Sequence, residues 1–191
     1  MNKFYLTIRK ITVAPIIAAM MLIILKIFVP QIFQSNVTFI LSLLFLGFLP
    51  LLAYPFQKYI PFYKDKGRSG QRTLARIFAV IGYLLGIITG LLLHAPKEIM
   101  LIYLEYLLSG LLIFLFNKCF HVTISGHACG IVAPDILLFH YHVYSFAVAA
   151  IFAVILIYIA SLKTKRHTLP QLIGGSLIPF VPYFVIFHFL A

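Results

Sequence analysis

Seven times along this chain of 191 residues an apolar run approaches the length of a bilayer crossing, and no segment between the runs is long enough to fold by itself. The runs fall at about 12–33, 37–56, 75–95, 99–117, 126–140, 143–162 and 169–190, with short polar or proline-containing breaks between them. A helix needs about 20 apolar residues to cross roughly 30 Å of hydrocarbon, and in lipid its backbone polar groups must be satisfied within the segment. The pattern predicts a single domain over 1–191, an all-α integral membrane bundle of about six to seven transmembrane helices. The fifth run is short for a crossing and contains Pro134, which suits a kinked, tilted or re-entrant helix buried in protein.

Composition agrees. Hydrophobic residues make up 63% of the chain and charged residues 10%, against roughly 45–50% and 25% in soluble domains. One water-soluble core could not hide them. Fifteen Lys and Arg stand against four acids, a formal charge of +11. In a soluble protein that excess would suit nucleic acid. Here the cations sit in short loops beside the spans, where they set topology and meet anionic headgroups or phosphate esters. Bilayer lipids are therefore expected partners and nucleic acid is not. Cys119 and Cys129 have no CxxC spacing and lie near a membrane boundary, so neither a disulfide framework nor a zinc site is expected. No cofactor is expected either. The basic N-terminus leads into an apolar run without an A-x-A-like cleavage site, which reads as a retained first span.

With the N-terminus placed inside, Lys3, Arg9, Lys10, Lys58, Lys64, Lys66, Arg68, Arg72, Arg76, Lys118, Lys163, Lys165 and Arg166 share one side, and only Lys26 and Lys97 do not. That bias places the shared side in the cytoplasm. The expected location is multi-pass in the cytoplasmic membrane of a prokaryote.

Three basic segments on that face carry polar residues beside helix ends: Lys64 to Arg72, Lys118 to His127, and Lys163 to Gln171. In the second, Ser125-Gly126-His127 opens a helix, so free N–H groups and the positive dipole end stand beside a hydroxyl and an imidazole. That arrangement suits phosphate. It is also what an ordinary N-cap serine with a boundary histidine looks like. In the third, His167 precedes Pro170 and a helix carrying Gly174-Gly175, a pair that lets another helix approach closely.

Together these segments, over roughly residues 118–178, resemble the type 2 phosphatidic acid phosphatase superfamily, membrane enzymes that hydrolyse lipid phosphates and diphosphates. That family carries K-x6-R-P, then P-S-G-H, then S-R-x5-H-x3-D. Ser125-Gly126-His127 matches the second motif without its proline. His167-Thr-Leu-Pro-Gln171, followed by Gly174-Gly175, matches the third with Gln for Asp. The resemblance implies that His167 attacks phosphorus, His127 protonates the leaving oxygen, and cations hold the phosphate oxygens without a metal. Gln171 would accept the hydrogen bond that orients His167 but bring no negative charge, so slower chemistry is expected. The arginine of the third motif falls at Ser161, which is too short to clamp phosphate; Lys163, Lys165 or Arg166 would replace it if the turn is remodelled. No clear K-x6-R-P is present. Lys118 is the candidate for its lysine and Arg72 for the missing guanidinium, with Ser125 and Gly126 completing the phosphate contacts. Four runs precede the S-G-H segment where the family has three helices, which turns the site to the cytoplasmic side.

Two rivals keep the membrane class. One is a catalytically degenerate relative that binds anionic lipid headgroups, favoured by Gln171 and Ser161. The other is a small ion-coupled transporter using Glu105 and Asp135, since intramembrane carboxylates are costly and usually functional. His94, His140 and His142 sit near the opposite boundary, where interfacial histidine is ordinary. The substrate lipid and the oligomeric state are not written in the sequence.

Overall fold

The computed structural model describes residues 3–190, and every regular element among them is helical. In chain order these are α1 (Lys3–Ile11), α2 (Ala14–Phe28), α3 (Asn36–Tyr59), α4 (Gly67–Leu92), α5 (Lys97–Lys118), α6 (Gly126–His140), α7 (Tyr144–Lys163) and α8 (Leu169–Phe189). Five of them, α3, α4, α5, α7 and α8, are long and apolar enough to cross a membrane. Taken together, α1 and α2 make a sixth candidate, bent by 58°. The chain is thus an all-α membrane bundle with five candidate crossings, or six with the bent pair, against the six to seven expected from sequence.

The difference lies in α6. Its 15 residues rise only about 22 Å, short of the hydrocarbon thickness. It survives because it does not face lipid: Ala128, Cys129 and Ile131 to Leu138 are all buried. α6 packs against α2, α5, α7 and α8. Met21, Leu22 and Leu25 of α2, Ile99 and Tyr103 of α5 and Leu137 of α6 belong to one buried cluster. Leu92, Phe152 and Phe184 are among the large apolar side chains left outside, where lipid replaces water as the contacting medium.

Local irregularities follow from proline chemistry. Val13 takes an extended conformation, and Pro15 sits in the first turn of α2, where its missing N–H costs nothing. Within α3, residues Leu43–Phe48 widen to a π-helical turn just ahead of Pro50. A wider turn accommodates a ring that cannot donate to the carbonyl four residues back.

From α2 onward the connections alternate between two ends of the bundle. Tyr141 donates its hydroxyl to the Glu98 carbonyl (3.1 Å), tying the α6–α7 connection to the start of α5 at one end. At the other, α1, the α3–α4 and α5–α6 connections and the α7–α8 turn come together with the basic segments. Gly130 fixes part of this register: a Cβ there would lie 2.4 Å from the Ala14 Cβ, so α6 meets the start of α2 at a distance only glycine permits.

Candidate functional site

The second and third basic segments are stitched together by backbone. The Ser125 N–H donates to the Gln171 carbonyl (2.9 Å), joining the residue that opens α6 to the first turn of α8. Gly175 makes that approach possible, because a Cβ at 175 would stand 2.2 Å from the Ser125 carbonyl oxygen. The close-packing role read for the glycine pair is therefore seen at Gly175, one turn beyond Gln171, the residue that orients His167.

Each histidine is oriented by local chemistry. Thr168 and Gln171 form a capping box at the start of α8. Gln171 Oε1 accepts from the Thr168 N–H (3.2 Å) and lies 3.2 Å from His167 Nδ1. An oxygen already facing an N–H can only accept, so Nδ1 of His167 holds the proton and Nε2 keeps its lone pair. On α6, Ser125 is fully buried and accepts from the Ala128 N–H (3.2 Å), leaving Gly126 and His127 as the first two helical N–H groups. His127 Nε2 lies 3.4 Å from Thr12 Oγ1. Thr12 gives its own proton to the Ile8 carbonyl (2.7 Å), so its oxygen accepts and His127 carries its proton on Nε2. The approach loop is held by Asn117, whose side chain donates to the carbonyls of Ile113 (2.8 Å) and Ile124 (3.2 Å) and accepts from the Ile124 N–H (2.9 Å).

The α7–α8 turn is a Schellman closure. Arg166 N–H reaches the Ser161 carbonyl (3.0 Å) and Lys165 N–H the Leu162 carbonyl (3.0 Å), with Lys165 in the left-handed region at φ 51°. This closure sets Arg166 and His167 at the mouth of the cluster. His127 and His167 lie within electrostatic reach of each other and of Arg9, and Arg72 and Arg166 also act on His167. Burial holds the His167 imidazole below its ordinary pKa. The Gln171 acceptor opposes that shift, and the charges of Arg9, Arg72 and Arg166 add to it. His167 is therefore neutral at neutral pH, with Nε2 unprotonated.

No family model, curated protein or solved structure matches this chain.

Of the residues singled out from sequence, His127, His167, Gln171, Ser125, Gly126, Arg72 and Arg166 gather at this one end. Lys118 is exposed at the end of α5, with the following loop folded back onto Asn117, and the cations acting on the two imidazoles are arginines. Glu105 and Asp135 sit elsewhere. Glu105 is buried in α5 and accepts from Ser109 (3.1 Å). Asp135 lies about 12 Å along α6 from His127 at 1.5 Å per residue, and it lines a cleft with His140, Phe180 and Tyr183 toward the opposite end.

One correction concerns Arg9. By sequence it is one of the thirteen cations that set topology, with Lys3, Lys10 and Lys58, and not one of the candidate phosphate ligands. Its Nη1 instead donates to Ser161 Oγ, inside the cluster. Thr12 directly follows α1, three residues from Arg9 and on the same side of the chain; α1 packs against α7 and Thr12 meets His127 of α6, with the 58° bend lying between Arg9 and Ala14. The bend is the signal that sequence reading lacked.

Proposed function

We propose that this chain is a membrane-embedded phosphatase of lipid phosphates or diphosphates, a divergent relative of the type 2 phosphatidic acid phosphatases, working through a phosphohistidine on His167. One observation carries the reading: His167, with Nδ1 held by Gln171 and Nε2 free, shares an arginine-lined cluster with a proton-bearing His127.

The chemistry follows from those protonation states. His167 Nε2 attacks phosphorus, the N–P bond forms, and the bond from phosphorus to the lipid oxygen breaks with its electron pair leaving on oxygen. His127, in the imidazolium form that the substrate's phosphate charge favours, gives that oxygen its Nε2 proton and becomes the neutral imidazole. Water then attacks the phosphohistidine, passing a proton back to His127, and the P–N pair returns to His167 as inorganic phosphate departs. Guanidinium groups neutralise the charge that builds on the phosphoryl oxygens. Gln171 holds the Nδ1–H throughout but adds no charge to the cationic intermediate.

The bilayer supplies the reason for a lipid substrate. A cluster among helix ends, ringed by cations at the basic boundary, meets a phosphate ester at headgroup depth while the tail stays in hydrocarbon. The basic end is assigned to the cytoplasm on the independent votes of Lys3, Lys10 and Lys58. Labelling of a Lys66→Cys variant, in a cysteine-free background, by an impermeant reagent from outside intact cells would overturn that side. The function is tested by phosphate release from purified protein given isoprenoid, glycerolipid and sphingoid phosphates. Release that persists in EDTA is the expected result; release lost in EDTA and restored by Mg²⁺ would refute the clamp of cationic side chains.

A further inference from the structure

Three guanidinium groups and two imidazoles crowd one end of this bundle, and among the described residues no carboxylate acts on Arg9, His127 or His167. The acids are Asp65 in the α3–α4 connection, Glu98 at the start of α5, and Glu105 and Asp135 within helices. Like charges brought together repel unless something of opposite sign joins them. Arg72 and Arg166 extend into solvent-exposed positions, from which flexible side chains can turn away. Arg9 cannot. It is half-buried, α1 packs against α7, and one of its five N–H donors is fixed on Ser161, a residue with no exposure at all.

The neighbours of Arg9 define what it faces. On the same side of the chain stands Thr12, whose oxygen accepts from His127. Ser161, whose carbonyl accepts from the Arg166 N–H in the Schellman closure that presents Arg166 and His167, anchors the guanidinium through its hydroxyl. A guanidinium tethered at one nitrogen still offers a planar fork to a tetrahedral oxyanion, a geometry lysine does not reproduce. We infer that Arg9, carried on the N-terminal helix and seated on Ser161, is the guanidinium that holds the phosphoryl oxygens between His127 and His167. The inference rests on the phosphatase reading for its substrate, but the anion site itself does not require turnover.

If this is right, Arg9 touches substrate, and its loss is felt in turnover as well as in binding. Removing one preorganised donor from a developing oxyanion slows catalysis by roughly 10²- to 10³-fold, so Arg9→Ser is expected to lower kcat by that order. Arg9→Lys is expected to recover little, because the fork is lost while the charge stays. The double variant Arg9→Ser/Ser161→Arg moves the guanidinium onto α7, to the spot where Arg9 now ends, and is expected to regain at least a tenth of the lost rate. Lys3→Ser, which removes a cation from the same helix away from the cluster, is the control and should change nothing.

The experiment measures phosphate release from a lipid phosphate and binding of inorganic phosphate by calorimetry, on the full chain in detergent, with thermal unfolding of each variant. Loss on Arg9→Ser with rescue by the swap establishes the role. Wild-type release with Arg9→Ser within threefold of it overturns the role and leaves the phosphatase reading standing. Should wild type release nothing, phosphate binding that weakens at least tenfold in Arg9→Ser keeps the anion site and refutes only the turnover. Binding that is unchanged, or absent from wild type, overturns the inference. If Arg9→Ser does not fold, Arg9→Lys decides: equality with wild type rules out the guanidinium, whereas loss rescued by the swap supports it.

Discussion

Histidines stand at both ends of the bundle, and two at each end, His127 with His167 and His140 with His142, are furnished in opposite ways. At the basic end His127 and His167 face Arg9, Arg72 and Arg166, and their polar contacts are a threonine hydroxyl and a glutamine amide. At the other, His140 Nδ1 meets the Tyr183 hydroxyl (3.1 Å), His142 meets the Tyr144 hydroxyl, and the His140 ring contacts those of Tyr141, Tyr183 and Phe187 edge-on. The Glu98 carboxylate acts on His140, and the second pair is satisfied by phenols and aromatic faces. The first pair is not. A concentration of guanidinium on which, among the described residues, no carboxylate acts favours an anion, and under the proposed reading the surrounding charge, rather than the presence of histidines, distinguishes the two ends.

The sharpest way to break this contrast is to remove one ring from each end. His167→Ala should abolish phosphate release, a loss of roughly a thousandfold or more, as for other nucleophiles that work as part of a unit. His140→Ala should leave release unchanged. Equal losses from the two would mean that both act through stability, and a fully active His167→Ala would remove the nucleophile from the scheme.

A second test acts on the seam. Gly175→Ala places a methyl 2.2 Å from the Ser125 carbonyl oxygen, a backbone atom that cannot swing aside. Overpacking of this kind costs about 1–3 kcal/mol. The stitch between Ser125 and Gln171 should open, so that thermal stability and phosphate release fall together. Gly110 in α5 has open space around its Cβ position, and Gly110→Ala should do neither.

A third concerns charge at residue 171. Burial, first, and the three arginines, after it, keep His167 below its ordinary pKa, with the Gln171 acceptor acting against them. The neutral ring is the nucleophile, so the acid limb of kcat/KM should lie below about pH 6.5, the unperturbed value. Gln171→Glu keeps the side-chain length and adds a negative charge beside Nδ1. An opposite charge favours the imidazolium, so the pKa rises and the acid limb moves to higher pH, while release above that limb gains up to about tenfold from stabilising the cationic intermediate. An acid limb that moves down, or stays, would show that Gln171 is not the partner that matters.

The spans were legible because hydrophobicity is a local property: the runs at 99–117 and 143–162 return as α5 and α7 within two residues, while α4 starts eight residues ahead of the run at 75–95, in the basic segment that apolarity does not mark. The gathering of Ser125, His127, His167 and Gln171 was also foreshadowed, since each lies at a helix end on the basic side. What sequence could not carry was the bend at Val13, which depends on Pro15 and on how closely Gly130 lets α6 approach Ala14. Without that bend Arg9 belongs to a membrane anchor, and Ser161 reads as a missing arginine instead of the seat of one that arrives from another helix. Asn117 escaped for a similar reason. Its three hydrogen bonds reach across a loop whose path no periodicity encodes.

The smallest expected effect separates the ends by backbone alone. Lys165 and His142 both sit in the left-handed region, at φ 51° and 61°, each just after a helix. A side chain there costs roughly 1–2 kcal/mol, and glycine removes that cost while giving back about 0.5–1 kcal/mol through the freer unfolded chain. Lys165→Gly should therefore raise stability by roughly 0.5–1 kcal/mol, the difference of the two. The lost charge adds no penalty, since Lys163 and Arg166 beside it are also cations. His142→Gly makes the same backbone gain but forfeits the hydrogen bond to Tyr144, worth about 0.5–1.5 kcal/mol, so its net change should be near zero or negative. Thermal unfolding of the two variants in one detergent decides the matter. A stabilised Lys165→Gly beside an unchanged or weakened His142→Gly fits, whereas a destabilised Lys165→Gly would mean that the lysine side chain itself holds the α7–α8 turn and, through it, the placement of His167.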